Sequence, residues 1–111
     1  MAGPLLIDTD VLIDYLRGQA GAVAFLRKTK RALRVSSATV AELYVGVREG
    51  TEEEVLERFL GLLAIVEITS GIARRAGLWR RDFGKSHGTG LMDALIAASA
   101  EFSGSTLVTL N

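Results

Sequence analysis

The sequence predicts an α/β domain in which a parallel sheet of about four to five strands carries helices on both faces. Three observations carry this prediction. Short apolar runs of β type alternate with segments of helical period along the whole chain, the pattern of parallel strands joined through crossover helices. With 111 residues, 49% of them apolar, and a positive mean hydropathy, the chain suffices for one real core and little else. No internal repeat, low-complexity tract or linker divides it, so residues 1–111 form a single domain on this reading.

In chain order, Leu5 to Asp8 is the first strand. Asp10 can N-cap a short helix through Leu16 that Gly18 stops, and Ala20 to Lys30 forms a second helix. Leu33 to Ser36 is a strand, after which the pattern changes to helical. Val40, Leu43, Tyr44 and Val47 keep the i, i+3, i+4, i+7 spacing, Ser37 is a suitable cap, and Gly50 closes the helix. Thr51 opens the next helix, with Glu52, Glu53 and Glu54 favourably placed in its first turn, and it runs to about Leu63. "AIVEI" (64–68) is a brief strand, Ser70 to about Lys85 a basic helix, "SHGTG" a glycine-bearing loop, Leu91 to Phe102 an apolar helix, and "STLVTLN" the last strand. Consecutive helical pairs interrupt the strict alternation.

Several classes are excluded at once. No apolar run approaches the roughly 18–20 residues of a membrane span, and "MAGPLLIDTD" lacks the basic region and cleavage site of a signal peptide, so a cytoplasmic protein is expected. Cysteine is absent and His87 is the single histidine, which removes disulfides, thiolate zinc sites and most triad chemistry. Any metal would be a hard ion held by oxygen. Thirteen basic and thirteen acidic residues cancel, but unevenly. Arg17, Arg27, Lys28, Lys30, Arg31 and Arg34 follow one another without an acid; Arg74, Arg75, Arg80, Arg81 and Lys85 face only Asp82; Glu49, Glu52, Glu53, Glu54 and Glu57 are the acidic counterpart. Solvated helix faces explain any one cluster, while two basic clusters in one small domain also suit a phosphate-bearing partner. His87 reads as a loop residue and Trp79 as packing on a helix flank.

The stretch "LLIDTDVLID" sets Asp8, Asp10 and Asp14 among Leu5, Leu6, Ile7, Val11, Leu12 and Ile13, and burying an unpaired carboxylate is expensive. Asp8 follows the first strand, and in open parallel sheets ligands gather beyond the strands' carboxyl ends; a turn aspartate is the plainer alternative. Asp10 serves as a helix cap close to Asp8, and Asp14 has Arg17 three residues on. Asp93 in "GLMDALIAASA" shares a stripe with Ile96, Ala97 and Ala100 and has no basic residue three or four positions away. It is either a ligand or a core acid bonded to a distant arginine. Glu42 also lacks such a neighbour, but it falls with Ala38, Val45 and Glu49 on the flank away from the main stripe, the position of a solvent-exposed glutamate. If Asp8, Glu42 and Asp93 converge, repulsion disfavours ionising all three without a cation, and Mg²⁺ or Mn²⁺ takes such ligands while keeping waters for chemistry. The expected reaction class is phosphoryl transfer or phosphodiester hydrolysis.

"LLIDTDVLID", "SSATVAELYVGV", "GTGLMDALIAASA" and "TLVTLN" resemble, in order and spacing, the PIN-domain ribonucleases, and most closely the VapC toxins of VapBC toxin-antitoxin pairs; the resemblance covers essentially the whole chain. It implies a three-layer α/β/α fold, Mg²⁺- or Mn²⁺-dependent endoribonuclease activity, a homodimer, and inhibition by a VapB-type antitoxin whose C-terminal segment covers the active site. Asp8 matches the first family acid, Glu42 the second and Asp93 the third, with Asp8 and Asp93 closest to the metal. Thr9 and Asp10 occupy the polar positions after the first acid, and Thr109 and Asn111 are further candidates to support the acids. The resemblance turns Glu42 toward the sheet's edge, against the exposed position its spacing favours. It further implies attack of a metal-activated water on the RNA phosphorus, leaving a 3′-hydroxyl and a 5′-phosphate. Arg17, Arg27, Lys28, Arg80, Arg81 and Lys85 are candidate contacts to the RNA backbone, which give affinity without sequence choice. There is one departure: Asn111 stands where the family has a polar or acidic residue, followed by residues that can supply a fourth acid and by a short helix and strand. A neutral oxygen donor there puts a second metal in doubt, and the domain ends, on this reading, before the family's usual C-terminal elements.

Two other readings start from the same residues. "DTDVL" also resembles the aspartate-x-aspartate motif of haloacid-dehalogenase-type phosphatases, in which Asp8 would be phosphorylated; the chain is short for that fold, Lys85 is its one late lysine, and Asp93 has no acidic neighbour. The other is a catalytically silent PIN-like module that binds RNA or protein, in which unpaired carboxylates have no purpose. Leu12, Ile13, Tyr15, Leu16, Phe59, Leu60, Leu62 and Leu63 point to a symmetric dimer, because a small domain has limited interior for them; the antitoxin is expected over a separate apolar groove leading to the carboxylates.

Overall fold

The computed structural model describes residues 3–87 and 90–110, with the backbone alone for 85–87. Among them, four strands, β1 (Leu5–Ile7), β2 (Leu33–Ser36), β3 (Ala64–Val66) and β4 (Thr106–Val108), form one parallel sheet in the order β3-β2-β1-β4. Leu5 lies between Leu33 and Thr106, and Ile7 pairs with Val108. Six helices surround the sheet: α1 (Thr9–Leu16), α2 (Ala20–Lys28), α3 (Ser37–Val45), α4 (Thr51–Leu60), α5 (Ser70–His87) and α6 (Leu91–Phe102). No described helix is long and apolar enough to cross a membrane.

Successive side chains of a strand point to opposite faces, and this assigns the helices to layers. Leu5, Ile7 and Val35 point one way and pack with Leu12 of α1, Leu26 of α2, Leu43 of α3, and Leu56 and Leu60 of α4. Leu6 points the other way, onto Ile96 and Ala100 of α6. Since β1 is covered on both faces, Leu5, Leu6 and Ile7 form an unbroken apolar run rather than an alternating one. Helix α5 is held to α6 by Ile72 and Ala76 against Ala94 and Ala98, small residues that let the two helices approach closely. Helix α3 contributes to both layers, with Ala38 in one core and Leu43 in the other, so it bridges the faces of the sheet just beyond β2.

Strand β2 and helix α6 have the expected bounds, and other boundaries move. Helix α1 starts two residues earlier and is capped by Asp8 instead of Asp10; Asp8 is still extended (ψ 153°), and Asp10 sits exposed in the first turn. Helix α3 is capped by Ser36 rather than Ser37 and stops at Gly46. Gly50 does not close α3: with φ 88° it turns the chain into α4, a conformation that glycine adopts without a side-chain clash. Tyr44, expected in the buried stripe, is exposed. Helix α5 continues to His87, two residues past its expected end. The apolar set expected to drive dimerisation is mostly interior. Leu12 and Leu60 are buried, and Ile13, Tyr15, Phe59 and Leu63 pack against the core, with the Tyr15 and Phe59 rings stacked at 5.2 Å, while Leu16 and Leu62 remain exposed.

Candidate active site

From β1 the sheet grows through β2 to β3, and β4 then returns to the opposite side of β1. Strand order therefore reverses between β1 and β4, and in parallel α/β sheets the crevice beyond the carboxyl ends at such a reversal is the place for a ligand. Asp8 occupies it. Its backbone N–H donates to the Val108 carbonyl at 2.9 Å, which extends the β1–β4 ladder by one bond and fixes the residue as the chain turns into α1. Its carboxylate takes two hydrogen bonds, from the Thr9 backbone N–H to Oδ1 at 2.8 Å and from the Thr109 hydroxyl to Oδ2 at 3.1 Å.

Thr9 joins Asp8 to the second acid. Its side chain is buried, and its hydroxyl is 2.6 Å from Glu42 Oε1, the short distance of a hydrogen bond to an anion. Glu42 is half-buried against α1 instead of exposed. Helical spacing placed it off the apolar stripe correctly; what spacing does not contain is that α1 crosses that flank. Asp93 is in the first turn of α6, where a negative charge is favoured by the helix dipole and where the cap, Gly90, offers no side chain. It is exposed, with no hydrogen bond or ion pair among the described residues, so it is not a core acid. The stripe it shares runs from solvent at Asp93 into the core at Ile96 and Ala100.

Ion pairs among the described residues join Arg48 to Glu52, Arg75 to Glu101 and Arg81 to Asp82. None of these involves Asp8, Glu42 or Asp93. The donors are all oxygen and carry charge that no cation among the described residues pairs with, a chemistry that fits a hard divalent ion. The structure brings Asp8 and Glu42 together through Thr9 but does not gather three acids near enough to hold one ion among the described residues. Beside this pair, α1, α3 and α4 enclose a groove of about 400 Å³. Ile13, Leu16, Leu43, Val55 and Leu56 make it apolar, and Glu42 and Arg17 stand in its wall.

Residues 5–111 match the PIN domain family. The chain belongs to this family. It is 40% identical over 110 residues to ribonuclease VapC10 of Mycobacterium tuberculosis, spanning 96% of this chain and 82% of that one. It is 36% identical over 110 residues to ribonuclease VapC19 of the same organism, spanning 96% and 87%. Among solved structures, it superimposes with a TM-score of 0.83 and 29% identity on a chain of a toxin-antitoxin complex from Klebsiella pneumoniae, covering 96% of this chain and 86% of that one. This is a PIN-domain ribonuclease of the VapC group. The phosphatase reading of "DTDVL" falls with that assignment.

The basic residues of this PIN domain lie in different places. Arg17 borders the groove beside Glu42. Arg27 and Lys28 are exposed in the last turn of α2, where cations suit the helix dipole. That turn leads into the start of β2, so they sit toward the strands' amino ends, away from Asp8. Arg80 and Arg81 are exposed on α5. Arg81 bonds Asp82 at 2.8 Å, and that hydrogen bond holds the Asp82 carboxyl below its ordinary range and raises the Arg81 guanidinium. The Lys85 and His87 side chains and Asn111 lie outside the described residues. Arg31 donates to the Gly3 carbonyl and Arg34 to the Ser103 carbonyl, each at 2.6 Å, so these two cations tie chain segments together. Trp79 packs at the α5–α6 contact beneath Arg75. One residue of the site went unremarked in the sequence: Thr39, fully buried, with its hydroxyl 3.0 Å from that of Thr9. The available signal was a threonine three residues before Glu42, hence on the same helical flank.

Proposed function

We propose that this VapC-type PIN domain cleaves RNA in a reaction that depends on Mg²⁺ or Mn²⁺, with Asp8, Glu42 and Asp93 as its acids. The observation that carries this reading is the pair of carboxylates that Thr9 joins at the end of β1, held by threonines and in no ion pair among the described residues. Asp8 and Asp93 would hold the ion, with Glu42 orienting it or its water. A bound divalent ion acidifies a water and stabilises the charge that develops on phosphate oxygens. The protein's own part is orientation. Thr9 and Thr109 engage both oxygens of Asp8, Thr9 engages one oxygen of Glu42, and Arg17 offers a cation to an RNA phosphate at the groove. The products are a 3′-hydroxyl and a 5′-phosphate.

The partner is a VapB-type antitoxin, and the groove between α1, α3 and α4 is its seat, because an apolar segment laid there ends beside Glu42. The Klebsiella pneumoniae chain that this fold matches comes from a toxin-antitoxin complex. A homodimer would use apolar side chains that stay exposed, such as Val45, Leu62 and Ile65, since most of the set expected from the sequence is interior. The test is a gel assay on mixed RNA with Mn²⁺, with chelator, and with Asp93→Asn. Cleavage should appear with Mn²⁺, vanish with chelator and fall about 100-fold in Asp93→Asn. Cleavage that survives chelation overturns the metal dependence, and RNA binding without cleavage at any metal level establishes the silent module instead.

A further inference from the structure

We propose that Thr39 is a positioning residue for Glu42, acting through Thr9; this rests on the metal reading above. Thr39 lies on α3 and Thr9 at the start of α1, and both are buried. The Thr9 hydroxyl is 2.6 Å from Glu42 Oε1 and 3.0 Å from the Thr39 hydroxyl. A threonine hydroxyl has one proton and can donate it once. The carboxylate, at the shorter distance and with full charge, takes the Thr9 proton. The bond between the two hydroxyls is then left for Thr39 to donate, and the three groups form a directed relay, Thr39 to Thr9 to Glu42. A hydroxyl that accepts a hydrogen bond is polarised into a better donor, so Thr39 strengthens the contact that orients the acid.

Other buried hydroxyls show why this one is different. Ser36 caps α3 by accepting from the Ala38 N–H, and Ser99 donates to the Leu95 carbonyl in its own helix at 2.7 Å. These two hydroxyls also meet each other at 3.2 Å, but each has a bond to nearby backbone besides. The Thr39 hydroxyl has Thr9, thirty residues away in sequence, as its one hydrogen-bond partner among the described residues. A hydroxyl kept wholly out of water for a single contact with the residue that holds Glu42 is placed to control that acid.

The experiment compares the full chain with Thr39→Val, which removes the hydroxyl at nearly constant volume, and Thr39→Ser, which keeps it. Mn²⁺ alone is titrated in, and the free ion is followed by electron paramagnetic resonance. Partners standing behind metal ligands typically change affinity by about 10–100-fold. Thr39→Val should therefore bind Mn²⁺ about tenfold more weakly, and Thr39→Ser like the parent. A second arm needs no metal: melts of Thr39→Val, Glu42→Gln and the double variant should give shifts that do not add, because both changes break one relay. If Thr39→Val fails to fold, the parent decides by NMR, where the relay requires a slowly exchanging Thr39 hydroxyl proton in contact with Thr9. Parent-like Mn²⁺ affinity in Thr39→Val, additive melts, or an unprotected hydroxyl overturns the relay while leaving the metal reading in place. A parent that binds no Mn²⁺ overturns the metal reading and this role with it.

Discussion

On the α5–α6 side of the molecule, Arg75 lies 3.2 Å from Glu101 and over the Trp79 ring at 4.5 Å, and Arg81 holds Asp82 at 2.8 Å. Where β1 runs into α1 the charges are treated differently: Asp8 and Glu42 are met by threonines and a backbone N–H, and Asp93, at the start of α6, is likewise left without an ionic partner among the described residues. The paired charges are exposed, in water that screens them, and such pairs contribute about 0–1 kcal/mol. The unpaired acids have neutral donors that orient them without offsetting their charge. One region answers to stability, weakly; the other holds negative potential in reserve for a cation, at some cost to stability, as functional sites commonly do.

The largest effect that could break this contrast is expected from Asp8→Ala. It should lower RNA cleavage by about 1,000-fold, the upper end for loss of one group that stabilises transition-state charge. Stability should fall by only about 1 kcal/mol, because Asp8 also caps α1. Cleavage gels beside a thermal melt check both numbers. Asp93→Asn should cost about 100-fold in cleavage on the same grounds. Its melt should move by about 0.3–1 kcal/mol at most, from loss of a charge in the first turn of α6. A drop of about 3 kcal/mol or more would mean a buried ionic partner, and the contrast would fail.

Adding Mn²⁺ at about 100 times its dissociation constant should stabilise the parent by about 2.7 kcal/mol and leave Asp8→Ala unmoved, as read by the melting temperature. On the other side of the comparison, Glu101→Gln should cost about 1 kcal/mol or less and leave cleavage and Mn²⁺ binding unchanged. The smallest effect belongs to the Arg81–Asp82 pair. Asp82 has its folded pKa depressed by the Arg81 hydrogen bond, so its contribution is present above the ordinary value of 3.8 and is lost as pH falls through the lower folded value. Arg81→Ala should melt slightly below the parent above pH 3.8, where that contribution is whole, and the two pH–melting curves should converge as the pH falls below it.

Much of the architecture was legible because it is local. The bounds of β2 and α6 follow from apolar runs and periodicity within a few residues, and the alternation of strand and helix announces a parallel sheet. The caps were less so. Whether Asp8 or Asp10 begins α1 depends on where β1 ends, and β1 ends where the Asp8 N–H reaches the carbonyl of Val108. Arg31 and Arg34 belong to a basic cluster that the sequence alone reads as a solvated face, and only the structure shows their guanidinium groups on the Gly3 and Ser103 carbonyls.

The residue types by themselves excluded thiolate ligands, since cysteine is absent, and four short motifs identified the family. Only the tertiary structure decided how the acids stand. Thr9 meets Glu42 across 33 residues of chain, and Thr109 meets Asp8 across 101. Periodicity reports the face of a helix on which a residue lies, and nothing about which element crosses that face. For this reason Glu42 read as a surface glutamate, Asp93 as a candidate core acid, and Thr39 as unremarkable, until α1 packed against α3 and gave the two threonines each other.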